Sequence, residues 1–364
     1  MSLDFEALPS TMRAVRCHGP GDYRLEEVAV PIPHGDEVLI KVESCGVCAS
    51  DVKCFSGAPL FWGDGTRPQY VEPPVIPGHE FSGHVVALGE TASATHGIAV
   101  GDRVVSEQIV PCRRCRQCLA GRYHLCAANL VYGFRQASQG AMAEYMLFPA
   151  TAIVHRVPAE LTIEQAALIE PLACSMHAVE RAQIRFGDVV AIAGAGTLGL
   201  GMVAVARLQN PSRLISLDRF PHRLEVARNL GADITINVLE TDPVQTILDL
   251  TDGYGCDVFI EATGHPDAVN QGLQMLRKGG TFVEFSVMAR ETSTDWTIIG
   301  DGKELTINGA HLGPGCYPKV IDYLSRGLLR SDGIVTHTFP LDRFRQAFDL
   351  VHGGQSSIKV LLIP

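Results

Sequence analysis

The chain has no uninterrupted apolar run long enough to span a membrane. The nearest candidate, residues 189–206, carries no charge but is broken by Gly194, Gly196, Gly199 and Gly201, so a membrane role is not expected. Basic charge is also in short supply. Thirty Lys and Arg stand against 40 Asp and Glu, a net charge of −10, which disfavours nonspecific attraction to nucleic acid or anionic lipid. Internal repeats and low-complexity tracts are missing. The first fifteen residues, with Asp4 and Glu6 among them, lack the apolar core of a secretory signal, so cytoplasmic residence is the expectation. Charged residues make up only 19% against 46% apolar, which points to a large buried fraction. At about 150 residues per domain the length implies two domains and excludes a single small binding module. Eleven cysteines are too few for a disulfide scaffold in 364 residues, yet four of them fall between Cys112 and Cys126.

Up to about residue 160 the chain consists of short β-like runs separated by Gly and Pro, such as 37–42, 83–88 and 103–106. The texture then changes. Strand-like runs at 189–193, 214–217, 257–261 and 281–285 alternate with helix-length stretches such as 221–230 and 266–277, the rhythm of a parallel sheet with helical crossovers. That rhythm is expected to stop near residue 305, leaving helices at 318–326 and 341–351 and a final strand at 359–363.

Three motifs carry chemistry. Cys112, Cys115, Cys118 and Cys126 follow the spacing C-x2-C-x2-C-x7-C, which can complete a tetrahedral thiolate shell around zinc. Buried or disulfide-paired cysteines fit poorly, because Arg113, Arg114, Arg116 and Gln117 make the segment polar; an iron–sulfur cluster remains a competitor. A nucleic-acid-binding zinc ribbon is disfavoured by the net charge. The second set is dispersed: Cys48 with Ser50 and Asp51, then Gly78-His79-Glu80, and much later Glu170 in Ile-Glu-Pro-Leu. Thiolate, imidazole and carboxylate are all zinc donors, although a lone Cys or His is more often a packed residue and Asp51 alone reads also as a turn or helix cap, so that only the combination points to a metal. Asp51 is placed to accept a hydrogen bond from His79 and fix its tautomer. The third motif, Gly194, Gly196 and Gly199 with Ala195, Thr197 and Leu198 between them, follows a strand and opens a helix, where backbone N–H groups favour a pyrophosphate. Asp218 ends the next strand, placed to receive ribose hydroxyls and to favour NAD over NADP, a preference softened by Arg219 and Arg223.

Together these residues closely resemble the zinc-dependent medium-chain dehydrogenase family, specifically the polyol dehydrogenase branch of sorbitol and related enzymes. The marks are Cys48 with Ser50-Asp51, Gly78-His79-Glu80, Gly101-Asp-Arg-Val104, the four-cysteine segment, Glu170 in its tetrapeptide and the glycine loop, and they cover nearly the whole chain. The resemblance implies an α/β fold in which a GroES-like β-rich catalytic domain, residues 1–164 and 306–364, accompanies a Rossmann domain of doubly wound parallel sheet, residues 165–305. It further implies that Cys48, His79 and Glu80 are ligands of a catalytic zinc, that Glu170 binds directly or through water, that the four cysteines hold a second, structural zinc, and that Ser50 receives the alcohol proton. A cysteine stands at the Glu170 position in alcohol dehydrogenases, so the Glu points to the polyol branch. Two departures stand out. Lys53 occupies a place often held by histidine, and the segment between Cys48 and His79 is several residues longer than in sorbitol enzymes, with Phe55, Leu60, Phe61, Trp62 and Tyr70 either walling the substrate site or anchoring a loop. Cys54, Cys174, Cys256 and Cys316 match no ligand position and are assigned to packing; His177 and His311 receive no role.

The implied reaction is reversible oxidation of a secondary alcohol in a small polyol, four carbons being preferred, with hydride transfer to NAD⁺ and zinc as the Lewis acid. Oxidation of an amino alcohol such as threonine, and a noncatalytic zinc- and nucleotide-binding role on the same fold, are the alternatives. A homodimer or homotetramer is expected, with a small-molecule substrate and no nucleic-acid partner.

Overall fold

The computed structural model describes residues 8–288 and 290–364. The leading segment with Asp4 and Glu6 lies outside the described residues. The chain separates into two compact units. One comprises the chain as far as Glu170 together with Tyr317–Ser325 and Val335–Pro364, and the other comprises Pro171–Cys316 with Arg326–Ile334.

The first unit is built on a seven-stranded sheet ordered Val335–Pro340, Lys359–Ile363, Val38–Val47, Glu80–Leu88, Arg103–Ser106, Val154–Arg156, with Tyr145–Phe148 also pairing with Val38–Val47. Only the first pair is parallel. Val38–Val47 is buried along most of its length, as a central strand covered on both faces must be. Gly83 shows how close its neighbour runs: a Cβ there would overlap the Lys41 carbonyl oxygen. Beneath the sheet, Tyr23, Phe55 and Phe348 meet edge to face at centroid distances of 5.1–5.8 Å, seating the helix Ala49–Phe55 against the helix Phe344–Gly353.

The second unit holds a six-stranded parallel sheet ordered Ile234–Asn237, Arg213–Asp218, Val189–Ala193, Cys256–Glu261, Leu276–Glu284, Thr306–Gly309. Numbered along the chain this is 3-2-1-4-5-6, the doubly wound dinucleotide-binding order, with its switch point beside the first strand. The buried strand Val189–Ala193 and the 258–260 stretch of Cys256–Glu261 read as continuous apolar runs because both faces are covered. The helices Thr197–Arg207 and Pro221–Leu230 pack together, as do Pro243–Leu250 and Pro266–Met275.

The structure corrects three sequence expectations. The alternating rhythm does not stop at residue 305, because Thr306–Gly309 pairs with Leu276–Glu284 as a sixth strand; short, polar and at the sheet edge, it has no apolar signature. The helix expected at 266–277 ends at Met275, and the next strand begins at Leu276 rather than Thr281, hidden by Gly279 and Gly280. The terminal helix starts at Phe344, after a 3₁₀ turn over Leu341–Arg343. Residues 189–206 form a strand, a glycine turn and most of a helix, and no described helix is long and apolar enough to cross a membrane.

Candidate active site and cofactor loop

Cys48 is the N-cap of the helix Ala49–Phe55, an extended residue between the end of a central strand and the first helical turn. Asp51, three residues on, accepts a hydrogen bond from the Cys48 backbone N–H at 2.9 Å and thereby fixes the start of the helix. Glu80 opens the neighbouring strand and His79 immediately precedes it, after Gly78, whose φ of 100° and nearness to Cys45 Sγ leave no room for a side chain. These local devices bring the donor atoms of Cys48, His79 and Glu80 within 4.8 Å of one another.

The surroundings are polar but closed. His79 is 7% exposed and lies against the ring of Phe134 at 5.6 Å, and its Nδ1 faces Asp51 Oδ1 at 3.6 Å. That separation is longer than the hydrogen bond expected from the sequence, and neither atom has a nearer polar partner. Burial disfavours a charge on His79, but Asp51, Cys48 and Glu170 outweigh it and raise its pKa. Burial likewise lifts the Asp51 carboxyl, with His79 opposing. Ser50 Oγ lies 3.4 Å from His79 Nε2.

The strand register pairs Gly46 with Glu80 and Val47 with Val360, so Lys359, one residue further along, reaches Glu80 Oε2 and also donates to the Val47 carbonyl at 3.2 Å. Both ends of this ion pair are buried. Burial alone would discharge Lys359; Glu80 and Cys48 hold it protonated, with its pKa raised.

Glu170 is not in the three-donor group. Its Oε1 accepts from Gln108 Nε2 at 2.5 Å, and Gln108 Oε1 accepts in turn from the Tyr317 hydroxyl at 2.8 Å. Tyr317 stacks on His155, which contacts Glu107 at 3.1 Å. Glu170 is nevertheless near enough for its charge to raise the pKa values of His79 and Lys359.

Sequence reading misses Gln108, Phe134, Tyr317 and Lys359, which stand in no recognisable motif. The long segment after Cys48 is now explained in part. Phe61 stacks on Phe134 at 5.1 Å, Tyr70 leans on the same ring at 5.8 Å, and Trp62 Nε1 donates to the Cys54 carbonyl at 2.7 Å. These aromatics anchor the loop to the core and, through Phe134, form one side of the His79 environment. Cys54, Cys174, Cys256 and Cys316 are all buried.

The donor atoms of Cys112, Cys115, Cys118 and Cys126 form a second group within 4.8 Å. Backbone N–H groups aim at the sulfurs: that of Cys112 donates to Cys126 Sγ at 3.3 Å and that of Cys118 to Cys115 Sγ at 3.5 Å. Donors from Ala127 and Cys118 lower the Cys115 thiol to about 6, while burial and the neighbouring cysteines raise that of Cys118. The turns at Arg116–Leu119 and Tyr123–Leu125 bury none of their residues, so the segment has no apolar core of its own.

In the other unit, Gly194 has φ 97° and Gly199 has no space for a Cβ beside the Gly194 carbonyl, so the turn from the strand into the helix Thr197–Arg207 depends on both glycines. Asp218 Oδ2 accepts from Ala195 N–H at 2.7 Å and Oδ1 from Phe220 N–H at 2.9 Å, which joins the second strand's end to the glycine loop. The guanidiniums of Arg219 and Arg223 lie 4.6 Å and 4.8 Å from the Phe220 ring centre. Phe220 is therefore the unforeseen residue that positions both arginines beside Asp218.

Comparison with known proteins agrees with this architecture. The alcohol dehydrogenase GroES-like domain model matches residues 34–159, and the zinc-binding dehydrogenase model matches residues 197–326. The chain is 54% identical over 357 residues to an erythritol/L-threitol dehydrogenase of Mycolicibacterium smegmatis, an alignment covering 98% of this chain and 99% of that one. It is 36% identical to an L-threonine 3-dehydrogenase of Bacillus subtilis, covering 92% and 94% of the two chains. The crystal structure of a Sinorhizobium meliloti 1021 chain bound to NADP superposes with a TM-score of 0.86 at 31% identity, covering 98% of this chain and all of that one. Both family models and a near full-length relative thus lead to one conclusion: the chain belongs to the zinc-dependent medium-chain dehydrogenase family.

Proposed function

We propose that this dehydrogenase reversibly oxidises a secondary alcohol of a small polyol, a four-carbon substrate such as erythritol or threitol being preferred, and that its cofactor is NAD. The observation that carries this reading is the cluster of Cys48, His79 and Glu80 with the Ser50 hydroxyl beside it, on a chain 54% identical to an erythritol/L-threitol dehydrogenase.

The residues fit a zinc ion. A thiolate, an imidazole and a carboxylate give three donors of suitable chemistry and leave a coordination position for the substrate oxygen. When bound, zinc supplies Lewis acidity that eases ionisation of an alcohol near neutral pH. The chain's own side chains provide the rest. Ser50 Oγ, beside His79, would relay the alcohol proton, accepting it while its own hydroxyl proton passes on to solvent. Lys359 balances the charge of Glu80 and holds it in the cluster, and Phe134 keeps the His79 ring in place and water away from it. Gln108, itself held by Tyr317, orients Glu170, the carboxylate expected to interact with the metal directly or through water. The four-cysteine segment fits a second, structural zinc.

The glycine loop would receive the dinucleotide pyrophosphate, and Asp218 the adenosine ribose. A carboxylate at that position repels a 2′-phosphate, which favours NAD, while Arg219 and Arg223 supply the opposing charge. The accompanying expectation is a cytoplasmic homodimer or homotetramer.

The test is a screen of NADH and NADPH formation over C3 to C6 polyols and amino alcohols, NAD⁺ and NADP⁺ being compared in parallel. Fastest turnover with a four-carbon polyol and NAD⁺ is expected. Preferential oxidation of threonine would transfer the assignment to the amino-alcohol enzymes, and cofactor binding without turnover of any alcohol would remove the catalytic reading.

A further inference from the structure

A third cluster of metal-binding groups lies in the doubly wound unit, outside both sets described above. His177 and Glu180 are three residues apart on the helix Ile169–Ala182 and so project from one face of it. Cys316 approaches from the segment that follows the sixth strand. The donor atoms of the three residues lie within 4.8 Å of one another, with Cys316 Sγ 3.7 Å from Glu180 Oε2. With zinc bonds of about 2.3 Å to sulfur and about 2.0 Å to oxygen, a tetrahedral ion separates the two donors by about 3.5 Å. The observed separation needs little adjustment.

The backbone around the cluster is already fixed. Arg181 Nε donates to the Gly309 carbonyl at 3.0 Å, and Asn308 Nδ2 donates to the Arg181 carbonyl at 3.0 Å, tying the end of the helix to the sixth strand. Gly313 packs against the backbone of Ala173 and Cys174 so closely that a Cβ would overlap it. The turn through Gly313 and Gly315 then presents Cys316 to the helix. The three residues differ in burial: Cys316 is fully buried, His177 half-buried and Glu180 exposed. The thiol is therefore shielded while one side of the cluster stays open to water.

We propose that His177, Glu180 and Cys316 bind a third zinc ion through imidazole, carboxylate and thiolate, with water in the fourth position. Binding releases the Cys316 thiol proton to solvent and involves no change of oxidation state. The mixture of nitrogen, oxygen and sulfur donors suits zinc better than magnesium or calcium. Its consequence is a metal clamp between the helix and the segment leading to Cys316, in a unit whose other inferred ligand is a nucleotide.

The test uses the intact enzyme carrying its other metal ions. Wild type, His177→Ala, Glu180→Gln and Cys316→Ser are equilibrated with the same buffered free zinc, and metal per chain is measured by mass spectrometry. The wild type is expected to hold one zinc per chain more than His177→Ala or Cys316→Ser, and Glu180→Gln to bind the additional ion at least about tenfold more weakly. Cobalt added to the wild type should produce a thiolate charge-transfer band that Cys316→Ser lacks. Polyol turnover should be the same in all four proteins. Equal metal content in wild type and variants would overturn the proposal. Because Glu180 is exposed, its variant remains decisive even if loss of the buried thiol prevents folding.

Discussion

Glu284 lies at the carboxyl end of its strand, directly paired with Glu261 on the neighbouring strand. Glu261 is fully buried and accepts hydrogen bonds from the Thr263 and Gly264 N–H groups, the former at 2.7 Å. Burial first, and the charge of Glu261 second, raise the Glu284 carboxyl to about 7. The folded chain therefore retains a proton that the unfolded chain has already released. The sign follows directly: this group's contribution to stability is complete below its ordinary value of 4.5 and is lost as pH rises through about 7. Glu284→Gln keeps the shape and removes the ionisation. Allowing for partial solvent contact, the variant should be more stable than wild type by about 1–2 kcal/mol at about pH 8, and the difference should vanish near pH 4.5. Thermal melts of both proteins across that range check this; parallel curves would show that Glu284 ionises without strain.

At the scale of elements, the helix that presents Cys48, Ser50 and Asp51 is only seven residues long, too short to persist by its own hydrogen bonds. Packing holds it. Phe55 at its end meets Tyr23 and Phe348, and Arg345 Nη2 adds a hydrogen bond to the Tyr23 carbonyl at 2.6 Å. Phe348→Ala removes the common partner and should cost about 3–5 kcal/mol by denaturant unfolding. Activity should fall in the folded fraction too, because the helix loses its seat. An unchanged specific activity in variant protein shown to be folded would mean that the cap at Cys48 is enough to position the helix. The same elements explain what was legible in the sequence. The cysteine spacing, the glycine turn and Asp218 are local patterns, and they survive translation into structure because each is set by a single turn or a single strand-to-helix transition. Lys359 meets Glu80 across 279 residues of chain, and Tyr317 meets Gln108 across 209. Such pairs arise from strand order and register, which no period in the sequence reveals. The sixth strand of the parallel sheet escaped for a related reason: it is polar, exposed and defined only by its neighbour.

For the whole molecule, the two proposed zinc sites differ in what the protein provides without an ion. Around Cys48 the fold should remain supported without an ion, because Glu80 has Lys359 as its counter-charge and His79 has Phe134 against its ring. The four-cysteine segment has a smaller reserve, since its turns bury none of their side chains and it is tied to the rest of its unit by polar contacts such as Tyr123 to Glu107 at 2.8 Å, and bound zinc can contribute about 10–16 kcal/mol to a small structural site. An ion held by three protein donors with one replaceable position also exchanges more readily than one enclosed by four thiolates. Graded treatment of the enzyme with a chelator should therefore have two phases. Turnover disappears first, with far-ultraviolet circular dichroism and protease resistance unchanged, and returns when zinc is restored. Stronger treatment then releases the ion of the four-cysteine segment and opens residues 113–125 to proteolysis. Cleavage in that segment before activity declines would reverse the roles, making the cysteine cluster the labile site and the Cys48 cluster the one on which the fold depends.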